Sequence, residues 1–142
     1  MQYLNKSMLI FNKNYLTLAV LLFITEVLIA LYVHDQIIRP YGGDFLVVML
    51  LYCILKSFIT IKTSIAATLV LIFSYFVELM QYFNLIRLIG LENNNFAKTI
   101  LGTFFTWTDI LAYTAGTLFI LLTERIINSS KIRYLERRKI EF

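Results

Sequence analysis

Three carboxylates, two arginines, a glutamine and a tyrosine stand where long apolar blocks of the sequence begin or end. Glu78 and Gln81 are three residues apart and share a helix face, with Ser74 one turn below. Asp109, Ala112, Tyr113 and Gly116 share a face in the same way, and Ala112 with Gly116 forms a small-x-x-x-small pair that lets another helix approach closely. Asp44 opens the block before them, while Arg39 and Arg87 lie in the flanking loops. An ionised carboxylate among lipid tails costs roughly 2.5–3.5 kcal/mol, so Glu78 has to face other helices, carry a proton or pair with an arginine.

Two arrangements satisfy that demand. In one, Arg39, Asp44, Glu78, Gln81, Arg87, Asp109 and Tyr113 line a polar pocket. The arginines would hold a phosphate or carboxylate bidentately, the carboxylates would orient them, and Gln81 and Tyr113 would add hydrogen bonds. In the other, Arg39 and Arg87 neutralise Asp44, Glu78 and Asp109 in a closed knot that ties loop to bundle. Arg87 is nine residues beyond Glu78 and falls on the opposite side of a continuous helix, so joining the cluster requires a break near Asn84 or a long reach. The pocket supports three functions, in falling order. The first is binding of an anionic headgroup or envelope precursor. The second is an embedded enzyme with Glu78 or Asp109 as general acid or base on a lipid-linked substrate. The third is a small carrier, which would want polar groups through the whole membrane thickness, whereas only Glu26 lies near the middle.

The remaining polar residues say less. Glu26 fits a protonated carboxyl bonded to a neighbouring helix as well as it fits a proton relay. His34 beside Asp35 reads as an interfacial residue. No ligand spacing supports a metal, and no phosphate loop, dinucleotide fingerprint or nucleophile elbow is present, so no cofactor is expected. Cys53 is the single cysteine and sits in an apolar run as a packing residue.

The elements that must position these residues follow from composition. Of 142 residues 59% are hydrophobic and 15% charged, and the mean hydropathy is +0.74, beyond an ordinary soluble domain. The net charge of +4 does not point to nucleic acid, because the cations flank apolar segments instead of covering a solvated face. The pattern predicts a single all-α integral membrane domain over 1–142, with four transmembrane helices near 15–33, 45–61, 63–83 and 110–127. The second and third form a hairpin about Lys62. Between the third and fourth, residues 87–108 are too polar for a fifth span. Phe96, Ile100, Phe104 and Trp107 nevertheless recur at helical spacing, which predicts a short amphipathic interfacial helix with Trp107 at headgroup depth. A basic tail, 128–142, closes the chain. Lys6, Lys13, Lys56, Lys62, Arg125, Lys131, Arg133, Arg137, Arg138 and Lys139 fall on one side, against Arg39, Arg87 and Lys98 on the other. Both termini are therefore expected in the cytoplasm, with the polar cluster at the outer leaflet among membrane lipids.

The stretch Arg39-Pro40-Tyr41-Gly42-Gly43-Asp44, the Glu78-Leu79-Met80-Gln81 run, Arg87 and the segment from Asp109 through Ala112-Tyr113 to Gly116 resemble a family of small bacterial membrane proteins of unknown function. That family is in turn similar to the VanZ-like proteins, onto whose pattern Glu78, Gln81, Arg87, Asp109 and Gly116 fall. Tyr113 stands where those proteins usually have asparagine. The resemblance implies a multi-pass protein of the bacterial inner membrane concerned with the cell envelope, and implies no particular reaction.

Overall fold

The computed structural model describes residues 9–33, 38–95, 98 and 105–140, the side chains of 38–40 and 136–140 excepted. His34 and eight residues of the expected interfacial segment 87–108, among them Phe96, Ile100 and Phe104, lie outside the described residues. The described chain is helical: α1 Lys13–Tyr32, α2 Ile38–Phe58, α3 Thr63–Tyr82, a single turn α4 Leu85–Leu88, and α5 Trp107–Ile140. Four of these are long and apolar enough to cross a bilayer, over Lys13–Tyr32, Tyr41–Phe58, Thr63–Tyr82 and Trp107–Leu135. The chain is thus a multi-pass membrane protein.

Each boundary has a local cause. Asn12 caps α1 through its side-chain oxygen, which accepts the Asn14 amide at 3.1 Å. The segment before it is tied to the end of α2, where the Ile10 and Asn12 amides donate to the Phe58 and Ser57 carbonyls. Helix α1 therefore starts where α2 stops, and the two run antiparallel. Lys56 turns to the α2–α3 connection, donating to the Ile61 carbonyl at 2.9 Å and lying over the Tyr15 ring. Asn84 ends α3 in the left-handed region at φ +50, which asparagine tolerates better than most residues. Helix α5 runs far past the expected 110–127. At 34 residues it extends about 51 Å, longer than a bilayer core, so the start of the basic tail continues the helix. Nothing between Thr117 and Ile140 breaks it: that stretch holds neither proline nor glycine, and Ser130 bonds back to the Ile126 carbonyl.

Helix α2 is the hub, in contact with α1, α3 and α5, while α3 and α5 also touch each other. The buried stripes have a four-residue rhythm, with Ala66, Val70, Ser74 and Glu78 on α3 and Tyr113, Thr117 and Ile120 on α5. Small residues let the backbones close in without a solvent-driven squeeze. At Gly116 a Cβ would sit 2.9 Å from the Phe45 carbonyl oxygen, so only glycine fits against α2. Buried hydroxyls are spent locally: Ser57, Ser74 and Thr117 each bond a carbonyl one turn back. Thr114 gives its proton to Ile110, so the Tyr75 hydroxyl must be the donor in their 2.6 Å contact. Helix α1 is peripheral, with Ala19 its one buried residue, and presents Leu21, Phe23, Ile24 and Leu28 to the bilayer.

Candidate functional site

Asp44, Glu78, Asp109 and Tyr113 meet where α2, α3 and α5 come together. Tyr113 is buried on α5 one turn below Asp109, held there by the close approach at Gly116. Its hydroxyl lies 3.0 Å from Glu78 Oε1 and 3.4 Å from Asp44 Oδ1, so its single proton goes to the nearer Glu78. Glu78 is 1% exposed, and its Oε2 is buried without a hydrogen-bond partner among the described residues. Asp44 and Asp109 are half-buried neighbours at the upper edge of the cluster. The cluster is graded, with a closed pair beneath and an open pair of aspartates above. Among the described residues no group of three His, Cys, Asp or Glu is set to hold a metal ion.

The arginines are disposed otherwise than the spacing predicts. Arg87 does not meet Glu78: after the turn at Asn84 it points to the exterior, and its Nε lies 3.8 Å from Glu92 with both side chains largely exposed. One left-handed residue is enough to redirect it. Arg39 lies in the first turn of α2, with its side chain outside the described set. Gln81 lines a narrow gap with Val77, Met80, Leu85 and Ile86 instead of joining the carboxylates. Beside the cluster an apolar groove of about 640 Å³ runs between Tyr41, Phe45 and Leu46 of α2 and Leu111, Ala112 and Ala115 of α5, with Thr108 at its polar end. Phe105 stacks edge-on with both Tyr82 and Trp107, placing an aromatic group at the same end.

The model of a family described as protein of unknown function (DUF2809) matches residues 33–117, more than half of the chain. The chain belongs to the DUF2809 family. Neither the curated proteins nor the solved structures compared with it contain a match. The likeness to VanZ-like proteins rests on the motif residues alone. All four residues of the cluster fall inside the DUF2809 segment.

A second carboxylate site, which the sequence reading passed over, lies at the middle of α5 and straddles that segment's boundary. Glu124 Oε1 accepts hydrogen bonds from Tyr15 of α1, in a short contact, and from Tyr52 of α2 at 2.9 Å. The two rings meet edge to face with centroids 6.1 Å apart. A crevice of about 590 Å³ opens in front of them between α1, α2 and α5. The signal was available, because Gly116, Ile120 and Glu124 follow Tyr113 at helical spacing on the bundle-facing side of α5. Glu26, near the middle of α1, has a buried Oε1 without a partner among the described residues, and it is remote in sequence from both clusters.

Proposed function

We propose that this DUF2809 protein binds a lipid-linked sugar, of the kind that serves as an envelope precursor, with the sugar headgroup on the Asp44–Asp109 edge and the tail in the groove beside it. The observation that carries this reading is the apolar groove that opens beside the half-buried Asp44 and Asp109. The two aspartates offer acceptor oxygens to sugar hydroxyls, which donate. Of the two arginines expected in an anion clamp, Arg87 lies away from the carboxylates, beside Glu92. Recognition therefore falls to the aspartates, and a purely anionic headgroup is disfavoured by three acidic groups in one place. The groove continues from Thr108 along apolar side chains, the polarity gradient an amphiphile requires. Tyr41 and Trp107, both exposed at this end, are suited to headgroup depth.

The bacterial inner membrane, cytoplasmic termini and an outer-leaflet position for the cluster belong to the same proposal, supported by the balance of ten basic residues against three. Reporter fusions after Phe142 and at Asn94 test the orientation, and an external signal from Phe142 would reverse it. For the ligand, the protein in nanodiscs of phosphatidylcholine doped with a polyprenyl-phosphate sugar or with phosphatidylglycerol is assayed by native mass spectrometry. Selective retention of the sugar lipid is expected. Equal retention of the two, or a preference for phosphatidylglycerol, would overturn the reading.

A further inference from the structure

We propose that the crevice in front of Glu124 is a separate binding site for an aminophospholipid, taking a phosphoethanolamine headgroup with its acyl chains against α1 and α5. The two tyrosines donate to the same oxygen, Oε1. Neither hydroxyl engages Oε2, which is not among the buried atoms that lack a partner, and the half-buried Glu124 lines the crevice. Tyr15 and Tyr52 thus fix the carboxylate in place and leave half of it for a ligand. Lys131 lines the same crevice two helical turns further along α5. Side chains on a helix lean toward its N-terminus, so the Lys131 ammonium is directed back toward Glu124. The Asn12 oxygen is committed to capping α1, which leaves its amide N–H groups as donors, and Asn128 adds an amide to the rim. The result is an acceptor for a cation beside donors for an anion.

That charge order selects among lipids. Phosphoethanolamine carries an ammonium with three N–H donors next to a phosphate, which matches Glu124 on one side and Lys131 with the asparagines on the other. The quaternary ammonium of phosphatidylcholine has no N–H to give Glu124. Phosphatidylglycerol has no cation at all. The deeper wall is apolar, with Leu18, Met49 and Phe119 suited to acyl chains. This site shares no residue with the aspartate edge and does not rest on it.

The test is competitive retention of phosphatidylethanolamine, phosphatidylcholine and phosphatidylglycerol on the purified full chain, read by native mass spectrometry, with thermal stability measured in parallel. Wild type should prefer phosphatidylethanolamine. Glu124→Gln should retain the fold, since the amide oxygen still accepts both tyrosine hydroxyls, and should lose that preference by about tenfold. Lys131→Ala, an exposed change that leaves packing intact, should weaken phosphatidylethanolamine and phosphatidylglycerol together. It decides the matter if Glu124→Gln fails to fold. Free phosphoethanolamine should not displace the lipid at matched concentration, and full displacement would overturn the lipid assignment. An absence of preference in wild type, a folded Glu124→Gln with preference unchanged, or a Lys131→Ala that binds as wild type would each overturn the proposal.

Discussion

The start and the middle of α5 carry the same chemical parts in opposite proportion. Near its start three carboxyls gather round one tyrosine, which bonds Glu78, and about 22 Å further along two tyrosines share one carboxylate. The difference lies in who is short of partners. At the Asp44 end, among the described residues, the carboxyls crowd a single tyrosine donor and Glu78 Oε2 is left without a partner. At the Glu124 end donors suffice, and the carboxylate faces an open crevice where solvent or a headgroup completes it. A crowded, closed site is coupled tightly to helix packing, whereas an open one is coupled loosely. Between them lie Val48, Val70 and Ile120, and the buried hydroxyls of Ser74 and Thr117 there are each bonded to a carbonyl one turn back. The two sites are therefore separate features, which argues against a continuous polar path of the kind a carrier would use.

That contrast can be broken by substitution. The largest effect is expected from Gly116→Val, which drives a branched side chain into the Phe45 carbonyl and forces α2 away from α5. Overpacking of this kind costs about 1–3 kcal/mol, and a fall in melting temperature in detergent should report it. Next is Tyr113→Phe, which removes the donor to a fully buried carboxyl and leaves both Glu78 oxygens unsatisfied. A loss of about 1–3 kcal/mol is expected. Tyr15→Phe and Tyr52→Phe should each cost less, about 0.5–1.5 kcal/mol, because Glu124 keeps the other tyrosine and is only half-buried. If either matched Tyr113→Phe in thermal shift, the distinction between a closed and an open site would fail. Smallest of all is Arg87→Ala. An exposed pair at 3.8 Å contributes little, so its melting temperature should match wild type, whereas a marked loss would return Arg87 to the carboxylates.

How much of this was legible in the sequence depends on how local each cause is. The spans follow from the spacing of charges between apolar blocks, and they emerge within a few residues of expectation except at the C-terminal end of α5. There the expected span ends at 127 and a basic tail begins at 128, yet the helix runs on, because a hydroxyl such as that of Ser130, bonded to the preceding turn, does not stop it. The meeting of Asp109 and Tyr113 with Glu78 follows from helix periodicity and antiparallel order. The position of Arg87 does not, because it turns on the φ of Asn84, a single torsion that no periodicity encodes. Glu124 was overlooked for a different reason. Beside Arg125 and near the basic tail it reads as part of a charged membrane edge, and its tyrosine partners lie 109 and 72 residues away in the chain.

The central claim is that the Asp44–Asp109 edge reads a headgroup while Glu78 and Tyr113 only support it. It is tested most directly by measuring sugar-lipid retention and melting temperature for Asp44→Asn/Asp109→Asn beside Glu78→Gln. The account predicts that the double variant keeps its melting temperature close to wild type and loses sugar-lipid selectivity, while Glu78→Gln, whose amide oxygen still accepts from Tyr113, retains both. Unchanged selectivity in a folded double variant would contradict it.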